Sequence, residues 1–195
     1  MQYAIQLRLG ENNSESQPEP FHIFLSGGAG VGKTFLVHVV TEFLKRVLRY
    51  PNQNLDQPSL LVTASTGKAA TGINGTTLHS AFNLPVNSGY KSFEYRKPRD
   101  EILHMLRNKY QYLKVLVTDE ISMIGRETFR HLDLALKAIM QNALPFGGVS
   151  LLVVGDFLQP PPVNQKGVFM KVKKGSYGSF NGWLALGRFP TTRAY

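Results

Sequence analysis

This 195-residue chain contains no cysteine, so it can form neither a disulfide nor a thiolate-ligated metal centre. Its five histidines are scattered, without the spacing of a metal site. No apolar run approaches the roughly 18 residues that cross a bilayer. The opening MQYAIQLRLGENN also lacks the apolar stretch of a secretory leader. A soluble intracellular protein without a membrane partner is therefore expected. Acidic residues are scarce as well: 13 Asp and Glu against 22 Lys and Arg give a net charge of +9. Such an excess favours a polyanionic partner. Internal repeats and low-complexity stretches are missing too.

What is present is enough for one ordinary globular domain, since 43% of the residues are hydrophobic and can build a core. Residues 21–26 (FHIFLS) form a short apolar run, and 34–50 follow with helical periodicity. Further apolar runs at 59–64, 115–119 and 150–155 predict three more strands, and helices are predicted over 99–112 and 126–142. Polar, proline-containing loops occupy 10–20 and 51–58, and 83–98 reads as a loop or a small hairpin. Short continuous apolar strands alternating with helices predict a parallel sheet covered on both faces. The expected fold is a three-layer α/β domain.

The basic residues are grouped. Lys45, Arg46 and Arg49 end the first predicted helix, where they suit its negative terminus. Lys91, Arg96, Lys97 and Arg99 interleave with Tyr90, Phe93 and Tyr95, a mixture typical of surfaces for single-stranded nucleic acid. Lys166, Lys171, Lys173 and Lys174 make a third group.

Between the first predicted strand and helix stands GGAGVGKT: Gly27, Gly28, Ala29, Gly30, Val31, Gly32, Lys33 and Thr34. It fits G-x-x-x-x-G-K-[ST], a loop whose backbone N–H groups close around phosphates because no Cβ obstructs the turn. Lys33 would reach the β- and γ-phosphates, and the Thr34 hydroxyl would ligate Mg²⁺. The strand before and the helix after supply the required context, so the loop is read as a nucleotide cradle.

Three further segments carry candidate chemistry. LVTDEIS delivers Asp119 and Glu120 to the end of an apolar strand, where α/β sheets place ligands. Asp119 would hold Mg²⁺ beside Thr34, and Glu120 would orient and deprotonate the attacking water. Two such close carboxylates stay ionised together only beside positive charge, which Mg²⁺ and Lys33 supply. GDFLQPPPV follows the fourth predicted strand, and Asp156 and Gln159 are expected to project from its proline-stiffened turn. A glutamine there can sense the γ-phosphate through a hydrogen bond lost on hydrolysis. TASTGKAATGINGTTLHSAF, from Thr63 to Phe82, offers hydroxyls, backbone N–H groups, Lys68 and His79 to a phosphodiester backbone. Each segment alone also fits an ordinary strand end or loop; together with the phosphate loop they read as one site.

In their order and wording these four segments resemble the Pif-type DNA helicases, the petite-integration-frequency family in the B branch of helicase superfamily one. The likeness runs from Phe21 to about Trp183. It implies a RecA-like P-loop domain with a mainly parallel sheet, binding ATP and Mg²⁺ and driving 5′-to-3′ movement on single-stranded DNA. It also implies roles in DNA repair, recombination and telomere maintenance, and a nuclear location ahead of a mitochondrial one. By this resemblance Gly27 to Thr34 are motif I, and Thr66, Gly67 and Lys68 lie in motif Ia. Thr77 and His79 lie in motif Ib, both Ia and Ib touching DNA backbone. Asp119 and Glu120 are the motif II pair, and Gln159 is the motif III sensor. Lys33, Glu120 and Gln159 are thus the expected catalytic residues, with Thr34 and Asp119 on the metal. Gln2 or Gln6 would read adenine, and 83–98 would hold a duplex-splitting wedge.

The chain departs from the family at two places. Pro160 stands where the family has leucine, fixing φ and removing an N–H beside Gln159. After Trp183 the sequence becomes LALGRFPTTRAY, unlike the family. The expected organisation is therefore an N-terminal segment (1–20), a RecA-like domain (21–183) and a divergent tail (184–195). The second RecA-like domain that completes the ATP site is expected to be missing, and a monomer is expected. The alternative is a module that binds ATP or single-stranded DNA without turnover. A guanine-reading N-K-x-D motif is lacking, which disfavours a GTPase.

Overall fold

The computed structural model describes residues 19–49, 54, 56–85, 95–156, 158–159, 162 and 167–168. Five strands, β1 (His22–Ser26), β2 (Leu60–Ala64), β3 (Thr76–Thr77), β4 (Val115–Asp119) and β5 (Ser150–Gly155), form one sheet in the order β1-β5-β4-β2-β3. Every pairing is parallel. The α-helices are α1 (Lys33–Leu48), α2 (Gly67–Gly72), α3 (Leu78–Phe82), α4 (Asp100–Tyr110) and α5 (Arg126–Met140).

Two cores sandwich the sheet. On one face Leu116, Leu151 and Val153 pack with Leu103, Leu106 and Tyr110 of α4 and Phe129, Leu132 and Leu136 of α5. On the other, Val62, Val115, Val117 and Val154 pack with Val37, Leu44 and Leu48 of α1 and Ala70 of α2. Successive strand side chains point to opposite faces, so a strand covered on both sides must be apolar throughout. All five residues of β4 are buried, Asp119 at its end included. The expected three-layer α/β class is therefore the observed one.

Polar anchors fix the layers. Asp133 of α5 is buried; its Oδ1 accepts from the Phe146 N–H at 2.7 Å and its Oδ2 from Lys137 Nζ at 2.8 Å. This pair holds the left-handed turn at Phe146 and Gly147 that leads into β5. The Tyr110 hydroxyl donates to the Ala81 carbonyl at 2.9 Å, tying α4 to α3, and burial pushes its pKa up to about 12.

The predicted elements differ from the observed ones mainly at their ends. The first helix stops at Leu48 because Arg49 turns extended (φ −72°, ψ 125°). β3 was not expected. It pairs with Thr63 and Ala64, and the approach needs Gly75, whose added Cβ would lie 2.5 Å from the Val62 carbonyl oxygen. Gln2, Gln6, Pro160, the 86–94 part of the expected wedge and the 184–195 tail lie outside the described residues, as do Lys166, Lys171, Lys173 and Lys174.

Candidate nucleotide and nucleic-acid site

Past the end of β1 the chain turns at Gly27, whose N–H donates to the Gly155 carbonyl at 3.3 Å. A Cβ on Gly27 would meet Val31 Cγ2 at 2.9 Å, so a larger residue there would have to push the Val31 side chain aside. Gly30 and Gly32 adopt φ of 79° and 84°, conformations that side chains disfavour. Gly32 caps α1 without a side-chain hydrogen bond, and the first turn holds no acidic residue. The first N–H groups of α1 and the positive end of its dipole are thus presented to an anion. Lys33 bends back across the loop and donates to the carbonyls of Gly27 (2.7 Å) and Gly28 (2.6 Å). Ala29, Val31 and Thr34 are exposed around it.

β4 delivers Asp119 and Glu120 to the same edge of the sheet, one strand away from β1 across β5. Asp119 Oδ1 accepts from the Glu120 N–H at 2.8 Å. Glu120 sits in the left-handed region (φ 52°, ψ 43°), a conformation costing a glutamate on the order of 1 kcal/mol and typical of functional turns. Ser65 Oγ donates to Glu120 Oε2 at 3.3 Å. Among the described residues no group of three or more His, Asp or Glu could hold a metal unaided. One buried carboxylate and one hydroxyl, Asp119 and Thr34, suit a Mg²⁺ that arrives with nucleotide phosphates and keeps several waters.

β5 ends on Gly155, where a Cβ would meet Ile121 Cγ2 at 2.7 Å and the Ser122 nitrogen at 3.3 Å. The 3₁₀ turn Ile121–Met123 therefore packs directly on the strand end, and Ser122 Oγ donates to Gln159 Oε1 at 2.9 Å. With its carbonyl so engaged, Gln159 is held against the 3₁₀ turn by its side-chain oxygen, and its amide nitrogen can only donate. Asp156 does not project as expected. It is buried, its Oδ1 accepting from the Leu158 N–H at 2.9 Å and its carbonyl from the Gln159 N–H at 3.2 Å, so it shapes the turn instead.

The two threonines assigned to nucleic acid are helix caps. Thr66 Oγ1 accepts from the Ala69 N–H at 3.3 Å, and Thr77 Oγ1 accepts from the Ser80 N–H at 3.2 Å while donating to Ser80 Oγ at 2.8 Å. Gly67 and Lys68 are exposed in the first turn of α2. His79 is half-buried on α3, and desolvation holds its pKa below the usual imidazole value. It is thus neutral at pH 7 and offers one N–H rather than a charge. Because the folded value is depressed, its stabilising share is present above the unfolded pKa of about 6.5 and is lost as pH falls below it. Thermal melts between pH 7 and pH 5 are expected to show a smaller acid-side loss of Tm for His79→Gln than for the wild type.

Residues 10–184 match the sequence profile of PIF1-like helicases. The chain belongs to that family. It is 38% identical over 144 residues to the ATP-dependent DNA helicase PIF1 of Saccharomyces cerevisiae, covering 74% of this chain and 16% of the yeast protein. To the ATP-dependent DNA helicase PIF1 of Danio rerio it is 40% identical, covering 74% of this chain and 20% of that protein. It also resembles the crystal structure of Pif1 helicase from Bacteroides in complex with ADP-AlF3 and ssDNA, with 29% identity and a TM-score of 0.56. That likeness covers 83% of this chain and 33% of the Bacteroides chain. The present chain thus spans a fifth or less of these curated relatives. Its all-parallel sheet is similar to that of a Pif1 RecA-like domain.

Sequence reasoning missed Ser65 and Ser122, the two hydroxyls that hold the Glu120 carboxylate and the Gln159 carbonyl. Both lie inside segments already singled out, and strand register is the signal that would have found Ser65: Ala64 pairs with Asp119, so Ser65 follows opposite Glu120.

Proposed function

We propose that this chain is the ATP-hydrolysing RecA-like part of a Pif1-type DNA helicase. Gly27, Gly28, Ala29, Gly30, Val31 and Gly32 wrap the phosphates, Lys33 neutralises the β- and γ-phosphates, and Thr34 and Asp119 hold Mg²⁺. Mg²⁺ supplies charge stabilisation at the transferring phosphate. Glu120 takes the proton of the attacking water, and Gln159 senses the γ-phosphate. Thr66, Gly67, Lys68, Thr77 and His79 line the track for single-stranded DNA. The observation that carries this reading is the uncapped, acid-free N-terminus of α1 with Lys33 folded over its loop, on the sheet edge that also bears Asp119 and Glu120.

In the whole protein, hydrolysis would drive 5′-to-3′ movement in DNA repair, recombination or telomere maintenance, inside the cell and with the nucleus ahead of the mitochondrion. Among the described residues no helix is long and apolar enough to cross a membrane. We take residues 21–183 as the domain, 1–20 and 184–195 as flanking segments, and the protein as a monomer. The family resemblance implies an arginine that completes the ATP site from a second RecA-like domain, and such an arginine is worth about 10³–10⁵ in rate in comparable phosphoryl-transfer enzymes. The 195 residues alone are therefore expected to bind Mg-ATP weakly, hydrolyse it slowly and leave duplexes closed.

A second reading, docking on nucleotide or single-stranded DNA without turnover, draws on the proline that follows Gln159. A forked-duplex assay combined with anisotropy of labelled oligothymidine tests the proposal. Salt-sensitive binding of the single strand without unwinding is the expected outcome. Strand separation by the purified chain would contradict the need for a second domain, and absence of DNA binding would contradict the motor reading.

A further inference from the structure

We propose that Ser65 is a positioning residue for Glu120, and that it passes DNA engagement on α2 to the hydrolytic carboxylate. The inference rests on the reading above, in which Glu120 is the base and residues 66–68 contact DNA. Its starting point is strand register. β2 and β4 pair Thr63 with Thr118 and Ala64 with Asp119. The next step along both strands sets Ser65 beside Glu120, where its hydroxyl donates to Oε2.

Two steps before, the strands are locked. Thr63 Oγ1 donates to the Val117 carbonyl at 3.0 Å and lies 3.0 Å from Thr118 Oγ1, and both threonines are fully buried. A buried hydroxyl pair of this kind fixes the two strands against sliding, because breaking it would leave unpaired polar groups inside the core. Ser65 and Glu120 are thus the first residues past the locked ladder that can move relative to each other. Glu120 has little backbone freedom of its own: it is pinned in the left-handed region with its N–H on Asp119 Oδ1. Ser65, in contrast, leads straight into Thr66, the cap of α2, and from there to exposed Lys68.

Distance gives the contact its conditional character. A hydroxyl donating to a carboxylate normally stands at about 2.5–2.7 Å, whereas Ser65 Oγ stands 3.3 Å from Oε2. Several tenths of an ångström remain to be taken up. A phosphodiester held by Thr66, Gly67 and Lys68 acts on the backbone that directly follows Ser65. Shortening the contact then holds Oε2 and leaves Oε1 to meet the water. The side chain that stimulates hydrolysis is then the serine that follows β2, acting through Glu120.

The test is phosphate release by the full chain with and without saturating oligothymidine, for the wild type, Ser65→Ala and Ser65→Thr. Ser65→Ala should lose about tenfold in the DNA-stimulated kcat, the scale of one hydrogen bond to a charged group. Its KM for ATP and its Kd for the oligonucleotide should change less than about twofold, and Ser65→Thr, which keeps the hydroxyl, should recover most of the rate. Full stimulation in Ser65→Ala overturns the inference alone, as does a Ser65→Thr protein that is equally slow. A weakened Kd that accounts for the loss also overturns it. A wild-type chain that DNA does not stimulate removes the parent reading and this inference with it.

Discussion

Lys33→Ala is expected to lower ATP hydrolysis by this chain by about 10²–10³-fold, the usual scale for removing one charge-stabilising donor from a transferring phosphate. Lys33 is the residue that the loop geometry serves. Gly27 and Gly28 turn their carbonyls toward its ammonium at 2.7 and 2.6 Å, and the helix that begins at Lys33 has no competing acid in its first turn. The side chain is only half-buried and takes no part in either core, so the variant should fold. A thermal melt within a few degrees of the wild type, with unchanged oligothymidine binding, would assign the loss to the phosphate site. Wild-type phosphate release from Lys33→Ala would mean that nucleotide chemistry happens elsewhere.

Glu120→Gln is expected to cost about 10²–10⁴-fold in turnover, the range for removing a general base, while nucleotide still binds. Glutamine keeps the shape, so the Ser65 contact can pass to its carbonyl oxygen and the left-handed backbone is no worse. Only the ability to accept a proton is lost. Equilibrium binding of a fluorescent ATP analogue should therefore match the wild type, and kcat should fall without a comparable change in KM. An unchanged kcat would leave Glu120 as a strand-end residue held by Ser65 and Asp119 for structural reasons.

The contrast between these residues shows what the sequence made legible. β4 and β5 were placed to the residue because an uninterrupted apolar run can bury both faces of a strand only inside a parallel sheet. The phosphate loop was legible for a similar reason, since its spacing restates a local geometry. β3 escaped because two residues carry no period, and its existence depends on Gly75 coming close to the Val62 carbonyl oxygen from twelve or more positions away. Asp156 turns inward where projection is expected: an aspartate after a strand can accept from its own turn, and the Leu158 N–H decides it. The caps made by Thr66 and Thr77 show the same ambiguity in a hydroxyl-rich stretch. Ser65 and Ser122 meet partners 55 and 37 positions away, which no local pattern encodes.

The central claim is that the loop at Gly27–Thr34, the Asp119 and Glu120 pair, Gln159 and the 63–82 segment form one DNA-responsive hydrolytic site. Steady-state phosphate release from Mg-ATP, titrated with oligothymidine for the wild type and Glu120→Gln side by side, tests it most directly. The account predicts slow release by the wild type that rises and saturates with DNA, and a flat trace for Glu120→Gln at every DNA concentration. Release that ignores DNA, or that survives in Glu120→Gln, would contradict it.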